Sequence, residues 1–292
     1  MPEVVAAGWS QPVKLAGEIN TPCPEDAIEV SPDGSMLYFY WSPTVGAEAA
    51  ELLTGTTGTY RATLAQAGPP RFEGPTFFDL RAGTLAGACD GELSFNPDGT
   101  EVFFHSLRAE NTGFQLDPPT DDFLDIYVAQ IVDGKPGPGT NLGAPVNSPS
   151  PDGEHCLSPD GMSLYLSSDR PGGVGKVDIW VSQKGDDGWS DPSNIGAPLN
   201  SPGGDLQPAF APDDPDTLYF VSDRDGPPSI YVSHREAASW TQPQMILTGF
   251  VGEPTLVADG SLLYFVHVLV DDDGVFGADI WYLMRQERGS GG

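Results

Sequence analysis

Ser158-Pro159-Asp160-Gly161-Met162-Ser163-Leu164-Tyr165-Leu166-Ser167-Ser168-Asp169-Arg170, continued by Asp178-Ile179-Trp180-Val181, is the stretch from which the rest of the chain can be read. Pro presets the first dihedral of a tight turn and Gly takes the positive φ that closes it. The β-branched and aromatic residues that follow suit a pleated, half-buried strand. The stretch therefore spells turn, strand, loop, strand. Outward from it the same unit recurs. The turns are Ser31-Pro32-Asp33-Gly34, Asn96-Pro97-Asp98-Gly99, Ala211-Pro212-Asp213-Asp214 and Val257-Ala258-Asp259-Gly260. Second strands read Leu37-Tyr38-Phe39, Val102-Phe103-Phe104, Leu218-Tyr219-Phe220 and Leu263-Tyr264-Phe265. Third strands read Thr59-Tyr60-Arg61, Asp125-Ile126-Tyr127-Val128, Ser229-Ile230-Tyr231-Val232 and Asp279-Ile280-Trp281-Tyr282.

Each unit needs a fourth strand, marked by Trp189-Ser190-Asp191-Pro192 and Trp240-Thr241-Gln242-Pro243. The connector Asn194-Ile195-Gly196-Ala197-Pro198-Leu199-Asn200-Ser201-Pro202 is nearly copied at Thr140 to Pro149. The chain opens with a lone fourth strand, Trp9-Ser10-Gln11-Pro12-Val13-Lys14-Leu15, and closes on a third strand with no fourth. The first segment completes the last unit, the ring closure that removes long sheet edges in a propeller. The repeat predicts an all-β, five-bladed β-propeller with four-stranded blades. Blade 1 is expected at 24–75, blade 2 at 88–146, blade 3 at 152–199, blade 4 at 205–248, blade 5 at 252–285 plus 8–16, and a flexible tail at 286–292.

The pattern S-P-D-G, L-Y-F, S-D-R, D-I-W-V, seen from Ser158 to Val181 and from Ala211 to Val232, resembles the TolB-like propeller repeats. The W-x-x-P and N-L-G-x-P-x-N-S-P elements resemble the variety found beside OmpA-like domains of bacterial envelope proteins. The resemblance implies a propeller in a periplasmic or secreted setting, with a cytoplasmic one still open, and implies no reaction. Blade 1 departs from it, with Ser42-Pro43-Thr44 in place of S-D-R, and blade 5 carries His267-Val268-Leu269 there.

Composition agrees with this reading. The 36 Gly and 29 Pro among 292 residues are turn punctuation, because 39% hydrophobic content is too apolar for a disordered chain. A net charge of −29 argues against nucleic acid and anionic membrane surfaces. No apolar run reaches the ~18–20 residues of a membrane helix, and Met1-Pro2-Glu3 does not begin a basic, apolar leader. Cys23, Cys89 and Cys156 have no CxxC spacing and are expected to be small buried hydrophobes, with one disulfide as the alternative. No phosphate loop or nucleophile elbow is present, so no organic cofactor is expected.

In a four-stranded blade the 1–2 turns share one face, and the 2–3 loops and 4–1 connections share the other. All length variation here falls in the second set: 43–58, 109–123, 269–277 and 68–88. Variable loops on a rigid scaffold commonly carry binding. The same face is expected to receive a collar of channel-strand residues: Asp26, Asp90, Glu92, Asp152, Glu154, His155, Asp205, Gln207 and Glu253. The ends of second strands bring His105, His267 and Arg108, and Trp41, Phe77, Phe78, Phe114, Phe123 and Phe276 lie nearby. Three uses compete. Acids and arginines of the S-D-R elements (Asp169, Arg170, Asp223, Arg224) read as structural ion pairs. Asp90, Glu92, Asp152, Glu154 and His155 could hold a divalent cation, calcium first. Glu92, Glu154, His155 and Glu253 are candidates for acid–base catalysis, furanosidase-like by fold analogy alone. The function expected is recognition of a small molecule, glycan or peptide by a monomer, with a hydrolase or lyase, or a pure scaffold, as alternatives.

Overall fold

The computed structural model describes residues 1–43, 57–81, 89–108, 110–112, 124–237, 239–272 and 274–286; Phe114 and Phe123, the side chain of Phe276, and 287–292 of the expected tail lie outside the described residues. Among these the fold is all β, in five sheets that form a five-bladed propeller. Blade 3 shows the plan. Asp152–Leu157 lines the axis, Ser163–Ser168 and Asp178–Gly185 follow antiparallel, and the short strands Gly188–Trp189 and Ser193–Asn194 cap the outer edge. The inner strands of the other blades are Glu25–Val30, Cys89–Phe95, Asp205–Ala211 and Val251–Leu256.

Alternation along each strand sends apolar side chains to both blade faces, so the core lies between neighbouring blades. One cluster joins Tyr264, Val266 and Ile280 of blade 5 to Ile28, Leu37 and Phe39 of blade 1. Another joins Tyr165 and Ile179 of blade 3 to Phe210, Phe220 and Tyr231 of blade 4.

The ring closes through Val13–Lys14, which pairs with Tyr282 and Trp281, and through the Trp9–Arg285 bridge. Two features of this closure escape a reading of the motifs. Glu3–Val4 adds a further strand to the outer edge of blade 4, beside Gln244–Thr248, so the N-terminus ties two blades. Leu15 to Pro22 is also a diverged third copy of the connector. Asn20 Oδ1 accepts the Ile280 N–H at 2.7 Å, and its Nδ2 donates to the Leu15 and Ile280 carbonyls. Asn147 serves Ile126 in the same way, and Asn200 serves Ile179. Asn20→Ala leaves backbone groups of Ile280 unpaired and is expected to cost about 1–3 kcal/mol, read from urea unfolding. A cost equal to that of an exposed Asn substitution would contradict this account of the closure.

Candidate functional site: the axial cavity

Each inner strand breaks its pairing at the same repeat position. The register shifts between Asp26 and Glu29, Gly91 and Leu93, Gly153 and Cys156, Leu206 and Ala209, and Gly252 and Thr255. At each break one residue takes a positive φ: Ala27 at 50°, Glu92 at 46°, Glu154 at 42°, Gln207 at 53° and Glu253 at 54°. Such bulges re-aim a side chain, and left-handed non-glycine residues cost on the order of 1 kcal/mol or more each. The bulge belongs to the repeat, since Ala27 shares it. Four of the five blades use it to bring a Glu or Gln to the axis.

Three of them, Glu154, Gln207 and Glu253, are bound into one hydrogen-bonded network, and Glu92 stands beside it within reach of their charge. Gln207 Oε1 accepts the Glu253 N–H at 2.9 Å, while its Nε2 donates to Glu154 Oε1 at 3.2 Å and Glu253 Oε1 at 3.4 Å. Glu253 Oε2 accepts the Ile28 N–H at 3.1 Å and shares a hydrogen bond with Asp26. One step along the axis, Glu29 Oε2 accepts the Thr255 hydroxyl at 2.8 Å. The carboxyls are half-buried by surface but enclosed by the channel wall, and no Lys or Arg lines it. Burial is the largest cause of their shifts. It lifts Glu154 to about 7 and Glu29 to about 8, and it lifts Asp26, Glu92 and Glu253, with the neighbouring carboxyls pushing Glu92 and Glu253 further. Burial and mutual repulsion thus favour the protonated form of the ring carboxyls.

The ring lines a cavity of about 270 Å³ whose walls include Glu29, Ser94, Cys156, His155 and Thr255, and which runs to Pro32, Pro97, Pro159, Pro212 and Ala258. These last residues belong to the 1–2 turns. The cavity therefore reaches the face opposite the one that carries the variable loops, which corrects the expected placement. The physical reason is the bulge: it turns the acids inward at mid-strand instead of leaving them at the strand starts. His155 is buried against this cavity with neither ring nitrogen hydrogen-bonded, and desolvation lowers its pKa to about 3. His105 packs behind it, close over Gly91 and Gly153, and burial lowers it to about 4.

The remaining candidates lie elsewhere. Asp90, Asp152 and Asp205 are not collar groups: each is buried in an ion pair, with Arg108 at 2.7 Å, Arg170 at 2.5 Å and Arg224 at 2.5 Å. The expected cation set of Asp90, Glu92, Asp152, Glu154 and His155 is thus split between ion pairs and cavity. Among the described residues no three His, Cys, Asp or Glu converge to hold a metal. His267 stands edge-on to Trp281 at 5.6 Å, away from the cavity lining. Trp41 lines a second, smaller cavity. Phe78 is buried, whereas Phe77 is exposed. Cys23 and Cys156 are free thiols. Glu29 was missed in the sequence, although the alternation Ala27, Glu29 places it on the axial face.

No protein-family model matches the chain, and neither does any curated protein. Solved structures do. The putative TolB of Agrobacterium tumefaciens is similar at TM-score 0.53 and 19% identity, over 91% of this chain and 92% of that one. TolB of Acinetobacter baumannii is similar at TM-score 0.50 and 13% identity, over 91% of this chain but 55% of that one. An α-L-arabinofuranosidase of Lactobacillus brevis is similar at TM-score 0.53 and 11% identity, over 92% and 93%. At such identities the likeness is one of fold: a TolB-like β-propeller. Among the described residues no helix is long and apolar enough to cross a membrane.

Proposed function

We propose that this propeller is a binding protein whose axial cavity receives the cationic group of a small molecule or peptide, in a periplasmic or secreted setting. The observation that carries the reading is the ring of Glu92, Glu154, Gln207 and Glu253, closed by Asp26, at the floor of a cavity with no cation of its own. A cationic head reaching the floor would draw these carboxyls into their ionised form, and the proline-rich upper wall would cover an apolar stem. An organic ammonium suits the ring better than calcium, which takes six to eight closely packed oxygens. The hydrolytic alternative needs one carboxylate held ionised beside a protonated partner; here every ring carboxyl is shifted in the same direction.

Calorimetric titration with 1,5-diaminopentane and with calcium chloride tests the proposal. Saturable diamine binding is expected, weakened about tenfold, or ~1.4 kcal/mol, by Glu92→Gln. Binding of calcium alone would favour the metal reading, and binding of neither would end the cationic one.

A further inference from the structure

Blades 2, 3 and 4 each fill the same internal site with an arginine, and blade 1 has the site without it. In blade 4, Arg224 donates from Nε to Ser222 at 2.9 Å, from Nη1 to the Pro198 carbonyl at 3.1 Å, and from Nη2 to the Leu199 carbonyl and Asp205. Its guanidinium lies 5.2 Å from the ring centres of both Phe220 and Tyr231, which stack at 5.9 Å and 28°. In blade 2, Arg108 bonds Ser106 and Asp90 and sits over Phe104 and Tyr127, stacked at 5.7 Å and 25°. In blade 3, Arg170 bonds Ser168, the Val146 carbonyl and Asp152, over Trp180.

Blade 1 keeps the aromatic pair, the acid and the connector carbonyls of this site. Phe39 and Tyr60 stack at 6.0 Å and 24°, the same pair in the same arrangement. Glu25 stands where the aspartates stand and accepts the Thr21 N–H and hydroxyl, as Asp152 accepts those of Ser148. Through the connector copy, the carbonyls of Glu18 and Ile19 correspond to those of Pro198 and Leu199. The arginine is missing together with the serine that accepts its Nε–H, because Trp41-Ser42-Pro43 replaces Ser-x-Arg; Trp41 Nε1 instead donates to Thr21 Oγ1 at 3.3 Å. A cavity of about 170 Å³ remains there, lined by Glu18, Ile19, Thr21, Phe39, Trp41 and Tyr60.

Among the described residues no Lys or Arg lines this cavity. Lys14 is committed to Asp279 at 2.7 Å, and residues 44–56, which lead on from Pro43, contain no Lys or Arg. Desolvation lifts Glu25 to about 7, against the hydrogen bonds of Thr21 and the more distant charge of Lys14. Blade 5 supplies the contrast. It has lost acid and arginine together, with Val251 and Leu269 in their places, so nothing there awaits a charge.

We infer that the cavity of blade 1 is a binding site for a guanidinium group supplied from outside the chain. The planar cation would lie over Phe39 and Tyr60 with Trp41 beside them, donate to the Glu18 and Ile19 carbonyls, and take its counter-charge from Glu18 in the lining and from Glu25, buried behind Thr21. A lysine ammonium fits less well, since it neither stacks nor forks.

The test is calorimetric titration of the full chain with Nα-acetylargininamide, Nα-acetyllysinamide, and a blocked Ala-Ala-Arg-Ala-Ala peptide. Saturable binding of the argininamide is expected, with the lysinamide about tenfold weaker and Glu25→Gln also about tenfold weaker. Trp41→Ser combined with Pro43→Arg hands blade 1 the serine and arginine of its neighbours. It should abolish binding at blade 1 and raise the melting midpoint. Tighter binding of the peptide than of the amide assigns the guanidinium to a polypeptide; equal binding assigns it to a small molecule. Absence of saturable binding, or equal binding by the original chain and Glu25→Gln, overturns the inference even if the double substitution fails to fold.

Discussion

Asp205→Ala should lower the unfolding free energy by about 3–5 kcal/mol, whereas Glu92→Gln, two steps along the equivalent inner strand, should leave it unchanged or raise it. The difference follows from what each acid faces. Asp205 is fully buried and neutralises Arg224, whose side chain is itself largely enclosed. Removing one member of such a pair strands the other charge in a medium that solvates it poorly. Ser222, which donates to Asp205 Oδ1 at 2.6 Å, loses its partner as well. Glu92 has no such partner: burial and the carboxyls around it oppose its ionisation. An amide in its place removes a repulsion and keeps the shape. Chemical denaturation of the two variants checks the pair of outcomes. A severe loss in Glu92→Gln would mean that the ring holds the propeller together and is not a site.

The melting midpoint should also fall as pH rises from 6.5 to 8. A carboxyl whose pKa is raised by folding keeps its proton in the folded chain, while the unfolded chain begins to release it near 4.5. Its stabilising share is complete below that value and is lost as pH climbs through the folded pKa, about 7 for Glu25 and Glu154 and about 8 for Glu29. The buried histidines act in the opposite sense and in a lower window. His155 at about 3 and His105 at about 4 remain neutral when folded, so they cost stability only as pH falls below 6.5. Between 6.5 and 8 the carboxyls act without that opposition, each contributing a slope on the order of 1 kcal/mol per pH unit. Glu29→Gln should flatten the decline. Asp33→Asn should not, because the Asp33 pKa is lowered by Ser31 and Ser35 and its effect lies in acid. A midpoint that is level or rising across this window would contradict the buried-acid account.

The blade count was legible because Pro-Asp-Gly turns and Leu-Tyr-Phe strands recur with their chemistry intact. The closure was half legible. Trp9 to Leu15 announced a displaced outer strand, but Asn20 was hidden in a connector that had lost its inner proline, with Glu18 at the place of Pro198. The site was harder to read. Glu92, Glu154, Gln207 and Glu253 could be aligned on the turn, yet their orientation depends on a one-residue bulge that no residue type betrays, since Ala27 adopts it as readily as Glu. Asp90, Asp152 and Asp205 stand two positions earlier and look equally suited to a collar. Only the arginine that returns from the end of the second strand separates structural acid from available acid. The absence of that arginine in blade 1, visible as Trp41-Ser42-Pro43, gained meaning once the aromatic pair beneath it was seen to persist.

The most direct test of the axial site is the proton count on binding. Titration with 1,5-diaminopentane at pH 6.5, in buffers of different ionisation enthalpy, should show protons released to solvent as the ring carboxyls ionise around the cation. The release should shrink in Glu92→Gln and in Glu253→Gln, and affinity should rise with pH. Binding without proton release, or release undiminished in both variants, would place the ligand elsewhere and contradict the assignment of the ring as the receiving site.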